Sequence, residues 1–135
     1  MVNENTDINI NKVVNHWIQT SDEDFIAMQS LYKSKVYHWS LFLGHITIEK
    51  LLKALYVKTN LKHAIFTHNL FRLAELCSLE ISEDIADDLT TITTFNINAR
   101  YDDYKKEFYQ KCSKEYTENW IQKIKEIRKW LKQKL

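Results

Sequence analysis

Glycine and proline are almost absent from this sequence, in which 135 residues contain one glycine and no proline. Turns in β-rich proteins are built largely from these two residues, because glycine tolerates positive φ and proline presets φ for a turn. A β sandwich or β barrel is therefore excluded, and so is a glycine-rich phosphate loop. The chain is long enough for one domain with its own core, and we predict that this domain is all-α.

Cysteines and long apolar runs are scarce as well. Cys77 and Cys112 have no neighbouring Cys or His and no metal-ligand spacing, so we expect reduced, partly buried side chains that act as small hydrophobes. No apolar run approaches the roughly 18 residues of a membrane span. The start of the chain also lacks the basic and apolar regions of a signal peptide. We expect a cytoplasmic protein that requires no cofactor.

The formal net charge of +1 hides an uneven distribution of charged residues. Residues 1–99 contain 8 Lys and Arg against 12 Asp and Glu, a net charge of −4, whereas residues 100–135 contain 11 against 6, a net charge of +5. The basic C-terminal segment could contact nucleic acid, an acidic partner or the acidic part of its own fold. The sequence leaves all three open.

Hydrophobic residues recur at helical spacing along most of the chain. Residues 1–9 are polar and are expected to form a flexible tail, and residues 10–135 a single helical domain. Thr67 and Ser82 are predicted to cap the third and fourth helices. Because the connections are short, we predict an antiparallel up-and-down bundle of four to five helices. The predicted helices cover about residues 10–32, 35–58 and 113–134, with a short helix after Thr67 that runs through Leu70 and Leu76 and another after Ser82 with apolar positions from Ile85 to Phe95.

The single glycine, Gly44, lies inside the second predicted helix. Glycine destabilises a helix interior by about 1 kcal/mol relative to alanine. Close packing of another helix against this position is therefore the expected reason for its presence.

A polar stripe follows the same helix. His38, His45, Glu49 and Lys53 are separated by 7, 4 and 4 residues, which places them on one broad face. The stripe is either functional or simply the solvated side, with Glu49 and Lys53 as a surface ion pair. His45 and Glu49 could supply two metal ligands, but the spacing offers no third, so no metal site is predicted. His68, at a predicted helix start, is expected to bond backbone or a neighbouring helix.

Arginine is scarce, with 3 residues against 16 lysines, and one of them stands in an unusual context. Arg100 is surrounded by Asn98, Tyr101 and Tyr104, and its planar guanidinium suits a carboxylate or phosphate. The two tyrosines either stack on a base or a partner, or pack over the end of the bundle. No histidine follows Arg100 in the chain, which removes the obvious general base for a nuclease.

Three short motifs occur in order: Gly44–Leu55 (GHITIEKLLKAL), His68–Leu70 (HNL) and Asn98–Tyr101 (NARY). Together they resemble the HEPN domain of prokaryotes over nearly the whole chain, from Trp17 to the last helix. Asp24 also falls where such domains often carry an acidic residue. The resemblance implies an all-α bundle that commonly forms homodimers. Many relatives act with a minimal nucleotidyltransferase in toxin–antitoxin modules or as its substrate-binding subunit, and others are metal-independent endoribonucleases.

The chain departs from the ribonuclease relatives at one position. Those relatives carry a histidine shortly after the arginine, whereas here the corresponding positions hold Lys105, Lys106 and Glu107. General acid–base catalysis contributes about 10²–10⁴-fold to a rate, so this loss is large. The resemblance therefore carries Arg100 over as a candidate ligand contact, without the nuclease activity.

The leading hypothesis is a non-catalytic, homodimeric HEPN-like protein that binds a nucleotide, RNA or a partner nucleotidyltransferase. One alternative is an endoribonuclease toxin that uses an atypical base such as His45 or His68. Another is a purely structural subunit that occupies a nucleotidyltransferase. The candidate ligand-binding residues are Arg100, Tyr101, Asn98 and Tyr104, with His45, Glu49 and Lys53 on a facing helix.

Overall fold

A computed structural model describes residues 8–135, which contain six α-helices and no β-strand. The predicted all-α bundle is confirmed. The expectation of a flexible tail concerns mostly residues 1–7, which lie outside the described range. Asn9, assigned to that tail, instead caps the first helix by accepting a hydrogen bond from the Lys12 backbone N–H. The helices are α1 (Ile10–Lys33), α2 (Tyr37–Asn60), α3 (Leu70–Leu76), α4 (Glu83–Arg100), α5 (Asp102–Lys111) and α6 (Lys114–Lys134).

Helix α2 is the centre of the bundle and packs against all five other helices. Its apolar side chains, such as Leu41, Ile48 and Leu52, are fully buried. The polar stripe on its other side is buried too, because α4 and the segment that leads into α3 cover it. The interpretation of this stripe as the solvated face of the helix is therefore wrong. A helix enclosed on every side has no such face.

Gly44 lies where α2 meets α1 and α6. A Cβ atom at this position would approach Ile124 Cδ1 of α6 to 2.5 Å and Met28 Sδ of α1 to 3.3 Å. Both separations are shorter than ordinary van der Waals contact. The predicted reason for this glycine, close helix packing, is confirmed.

Side-chain caps begin three of the later helices. Ser82 and Ser113 accept hydrogen bonds from the backbone N–H groups of Ile85 and Tyr116, so the predicted Ser82 cap is confirmed. The predicted Thr67 cap is wrong. Because α3 starts at Leu70, the capping position is Asn69, whose side chain accepts from the Arg72 backbone N–H.

Helix α5 raises the helix count above the predicted four to five. Tyr101 alone separates it from α4, with an extended backbone (φ −93°, ψ 129°). The Tyr101 carbonyl then accepts hydrogen bonds from the backbone N–H groups of Tyr104 and Lys105. Asp102 and Asp103 occupy the first turn of α5, where the helix dipole favours acidic residues. The chain therefore changes direction immediately after Arg100.

The basic last helix pairs with the acidic part of its own fold. Arg128 and Lys132 of α6 both contact Asp22 of α1, at 2.6 and 2.7 Å, and Lys123 contacts Asp88 of α4 at 3.2 Å. Partial burial alone would raise the pKa of Asp22, but hydrogen bonds from Lys132 and Arg128 lower it. At least these three cations of α6 form ion pairs within the fold, so their charges are not free for a partner.

Cys77 and Cys112 are buried and free, as predicted. Burial raises the pKa of each thiol to about 12, so both remain protonated. In the part of the chain that the structure describes, no helix combines the length and apolar character needed to cross a bilayer.

Candidate functional site

A buried carboxylate connects α2 to the start of α3. Glu49 Oε1 accepts a hydrogen bond from His68 Nδ1 at 2.7 Å, and Glu49 Oε2 accepts one from Lys53 Nζ at 3.1 Å. The side chains of Glu49 and Lys53 are only 7% and 9% exposed. Lys53 Nζ also lies 5.3 Å from the centroid of the Trp17 ring on α1. Each charge is therefore compensated, as burial of charged groups requires.

His45 lies one turn before Glu49 and is fully buried. Its Nε2 is 2.9 Å from the His68 carbonyl oxygen, so Nε2 carries the proton and donates it to that oxygen. Its Nδ1 is 3.4 Å from Asn96 Nδ2, which makes Nδ1 the acceptor. Burial lowers the pKa of His45, and the charge of Arg100 acts in the same direction. His45 is therefore a neutral ring with both nitrogens hydrogen-bonded, and it joins α2 to the segment before α3 and to α4.

Arg100 stands at the C-terminal end of α4, exposed to solvent. Its Nε donates to the Asn96 carbonyl oxygen at 3.2 Å, and its Nη2 donates to Asn96 Oδ1. The guanidinium carbon lies 5.9 Å from the ring centroid of Phe42 and 5.5 Å from that of Tyr101. A guanidinium has five donors, so several remain for a ligand. The arginine is held in one orientation with part of its hydrogen-bonding capacity unused.

Arg100 has no carboxylate partner within residues 8–135. A structural role would require an acid such as Asp24 or Glu49. Asp24 instead pairs with Lys50 at 2.6 Å, and Glu49 is taken by Lys53 and His68. The positive charge of Arg100 therefore remains available to an anionic ligand.

Asn96 was not among the predicted site residues, yet it joins Arg100 to His45. It is 2% exposed and lies one turn before Arg100 on α4. The signal in the sequence is a polar residue beside the apolar positions Phe95 and Ala99, on the face that the helix buries. A buried amide needs polar partners, and that requirement alone would have indicated a network.

The structure divides the predicted site residues into two groups. Tyr101 stays beside Arg100, but Asn98 and Tyr104 line a separate cavity of about 190 Å³ together with Glu107, Phe108 and Lys111. The reason is helical geometry, because residues two positions apart on a helix do not face each other. Tyr104 is moved away by the break at Tyr101. The structure brings Arg100, Tyr101, His45, Glu49 and Lys53 together through Asn96 and His68.

The Glu49 carboxylate and the His45 and His68 rings are already engaged in hydrogen bonds within this network. Within residues 8–135, no group of three or more His, Cys, Asp or Glu side chains is placed to hold a metal ion. His38, the first member of the predicted stripe, lies outside the network and faces α5, where its ring contacts that of Tyr109.

Comparison with known proteins places this arrangement in a family. The structure superposes on the crystal structure of TT1696 from Thermus thermophilus with a TM-score of 0.76, over 90% of this chain and 98% of that chain. The two sequences are 18% identical, so this similarity shows a shared fold alone. No curated protein matches the sequence. A model of the HEPN domain matches residues 14–134, and because this match spans nearly the whole chain, the chain belongs to the HEPN domain family.

Proposed function

We propose that this HEPN-domain protein binds a phosphate-bearing ligand, a nucleotide or RNA, at Arg100 without cleaving it. The observation that carries the proposal is an exposed guanidinium that Asn96 orients and that no carboxylate neutralises among residues 8–135. The planar fork of an arginine matches the oxygens of a phosphate. Because Asn96 already fixes the side chain, binding loses little conformational entropy.

The surroundings of Arg100 suit a nucleotide better than inorganic phosphate. Tyr101 is 54% exposed, and its ring lies against the guanidinium together with that of Phe42. Exposed aromatic rings offer stacking surfaces to bases, and a base that stacks contributes about 1–3 kcal/mol. A ligand with both a base and a phosphate can therefore use ring and cation at once.

The test is equilibrium binding of fluorescently labelled single-stranded RNA to the wild type, Arg100→Ala and Arg72→Ala. Arg72 is a matched control, because it is an exposed arginine on α3. We expect Arg100→Ala to weaken binding about tenfold or more, with the far-UV helical signal unchanged, and Arg72→Ala to bind like the wild type. Equal affinity in all three proteins would contradict the proposal.

We also propose that the protein acts as a homodimer, in a toxin–antitoxin-type module with a partner nucleotidyltransferase. Phe66 supports a protein interface near the site, because it is 92% exposed and its ring lies 5.8 Å from that of His68. Burial of this aromatic ring against a partner would stabilise the complex, and aromatic residues are enriched in protein interfaces. Sedimentation of the wild type and Phe66→Ser tests this, since Phe66→Ser should dissociate the dimer without lowering the monomer's helical content.

One observation favours endoribonuclease activity as a second candidate function. The Glu49 carboxylate holds Nδ1 of His68, whose side chain is 45% exposed. A carboxylate that orients an imidazole in this way leaves the other nitrogen free to accept a proton. In this candidate His68 removes the proton of the 2′-hydroxyl and Arg100 stabilises the phosphorane, while His45 has no free nitrogen for the role. Cleavage in chelator that is lost in both Arg100→Ala and His68→Ala would establish this function.

A further inference from the structure

A second cavity, with charged side chains in its lining, lies beside the start of α2, apart from the network around Glu49. It has a volume of about 330 Å³ and lies between the start of α2 and α5. Its lining side chains are His38, Asp102, Lys105, Lys106 and Tyr109. None of these residues takes part in the network around Glu49.

His38 is the most informative member of this cavity. The residue is 9% exposed, and its Nδ1 is buried without a hydrogen-bond partner in residues 8–135. Buried polar atoms of this kind are rare, and each calls for an explanation such as an absent ligand. Burial lowers the pKa of His38, with the charge of Lys105 acting in the same direction. An anion bound here would relieve the repulsion from the lysine, and a turn of the His38 ring toward the cavity would let Nδ1 donate to it.

The charge of the cavity favours an anion. Lys105 and Lys106 contribute two positive charges against the one negative charge of Asp102. Lys105 Nζ is held 5.1 Å from the centroid of the Trp39 ring, and the structure gives it no carboxylate partner in the described residues. Asp102 occupies the first residue of α5, where the helix dipole favours an acid. The lysines therefore give the cavity a net positive charge.

A line of aromatic rings connects this cavity to Arg100. The ring centroids of Tyr109 and His38 are 5.2 Å apart, those of His38 and Trp39 5.3 Å, and those of Trp39 and Phe42 5.5 Å. Phe42 in turn lies 5.9 Å from the Arg100 guanidinium carbon. Trp39 and Phe42 are partly buried, so part of each ring remains accessible between the two cations. Accessible rings that alternate with cations are typical of sites for single-stranded nucleic acid, in which bases stack and phosphates meet positive charge.

We propose that the His38 cavity binds a second phosphate of the same ligand whose first phosphate lies at Arg100. The ligand class of this face is then a single-stranded oligonucleotide rather than a mononucleotide. This inference rests on the proposed function, since it takes Arg100 as the first phosphate site. Lys105 and Lys106 contact the second phosphate, His38 donates to it, and the rings of Trp39 and Phe42 face the bases between the two sites.

The test compares a mononucleotide, uridine 5′-monophosphate, with a labelled oligouridylate of about eight nucleotides. The variant is Lys105→Gln/Lys106→Gln, and the matched control is Lys125→Gln/Lys129→Gln, which removes two exposed lysines of α6 that do not line this cavity. We expect the double variant to weaken oligonucleotide binding about tenfold and leave mononucleotide binding unchanged. The slope of log K against the logarithm of the salt concentration should become less steep by about one, as expected when phosphate contacts are lost.

A second variant tests whether the cavity binds an anion or a cation, and it carries little risk to folding. Asp102 is exposed, and Asp102→Asn removes the one negative charge of the cavity. We expect oligonucleotide binding to tighten by about two- to fivefold, because a nearby repulsive charge is lost. Weaker binding in this variant would show that the cavity favours a cation, which would overturn the proposal.

The outcomes separate this inference from the proposed function. If Arg100→Ala weakens both ligands while the lysine variant changes neither, the inference fails and the proposed function stands. If the lysine variant weakens oligonucleotide binding while Arg100→Ala has no effect, Arg100 is not a phosphate site. The proposed function and the two-site inference then both fail, and binding at the His38 cavity is all that remains. Absence of binding by the wild type would overturn both. An oligodeoxythymidylate that binds equally well would support recognition of the phosphates and bases rather than of the 2′-hydroxyl.

Discussion

Asn96 Oδ1 accepts a hydrogen bond from Arg100 Nη2, one helical turn further along α4. The amide nitrogen of the same side chain lies 3.4 Å from the buried His45 ring on α2. An exposed arginine is thereby connected to the centre of the bundle through a single buried amide. The buried Asn96 side chain thus orients Arg100, the candidate ligand contact. The remaining donors of the guanidinium stay available to a ligand.

Asn96 substitutions separate the positioning of Arg100 from its charge. Asn96→Ala should weaken RNA binding about tenfold and lower the free energy of unfolding by about 1–2 kcal/mol, since a buried hydrogen-bonded amide is lost. Asn96→Asp keeps the acceptor but neutralises Arg100. It should therefore weaken binding, and stability should fall as well, because the carboxylate cannot donate to His45 Nδ1 and places a charge at a position that is 2% exposed. Unchanged binding in Asn96→Asp would contradict the assignment of Arg100 as an anion contact.

Glu49 and Lys53 should behave as a buried ion pair. Glu49→Gln leaves the Lys53 ammonium, 9% exposed, without its carboxylate, and should lower the free energy of unfolding by about 3 kcal/mol. Glu49→Gln/Lys53→Met removes the unpaired charge and should recover much of that loss. Chemical denaturation of the two variants provides the measurement. A loss below about 0.5 kcal/mol in Glu49→Gln would mean that the pair behaves as a surface salt bridge.

Gly44 allows a test of close helix packing. Gly44→Ala gains about 1 kcal/mol of helix propensity, but its Cβ would meet Ile124 Cδ1 at 2.5 Å, and overpacking costs about 1–3 kcal/mol. We expect a net loss of about 1 kcal/mol. Ile124→Val removes the clashing methyl group, so the double variant should lose less than the two single variants combined. Additive losses would show that the contact with Ile124 is not the constraint.

Stability should depend on pH through buried histidines. Burial lowers the pKa of His45 in the folded state below its ordinary value of 6.5, among the neighbouring charges of Glu49, His68 and Arg100. The unfolded chain therefore binds the proton first, and the free energy of unfolding falls as the pH drops below about 6.5. The lowered pKa of His38 acts in the same direction. Asp22, whose pKa is also lowered, loses its contribution only below its ordinary value of 3.8.

His45→Gln is the variant that tests this dependence. Urea unfolding between about pH 5 and pH 7.5 should show a smaller loss of stability on acidification in His45→Gln than in the wild type. His16→Gln, at an exposed position on α1, should retain the slope of the wild type. An unchanged slope in His45→Gln would show that His45 does not titrate in this range.

Much of the fold is predictable because local chemistry and global packing agree. Helix α2 begins and ends within two residues of its predicted limits, and Ser82 begins α4 as expected. Helix α5 was missed because Phe108 is the one side chain that it buries, so the segment lacks the apolar stripe by which the other helices were predicted. The acidic pair Asp102–Asp103 was the available signal, since acids are favoured in a first helical turn.

The candidate site is predictable only in part, because the sequence shows which residues share a helix face but not what covers that face. Periodicity groups His45, Glu49 and Lys53 correctly, yet it cannot tell a solvated stripe from a buried network. That distinction depends on His68 and Asn96, which reach α2 from other elements. Proximity along the chain grouped Asn98 with Arg100, although their positions on α4 point in different directions.

The most direct test of the central claim reads binding and cleavage from one sample. Labelled single-stranded RNA is incubated in chelator with the wild type, Arg100→Ala or Arg72→Ala, and both its anisotropy and its length are measured. We predict intact RNA that is bound by the wild type and Arg72→Ala and released by Arg100→Ala. Shortened RNA with the wild type but not with Arg100→Ala would contradict the claim, because it would make Arg100 part of a nuclease rather than of a binding site.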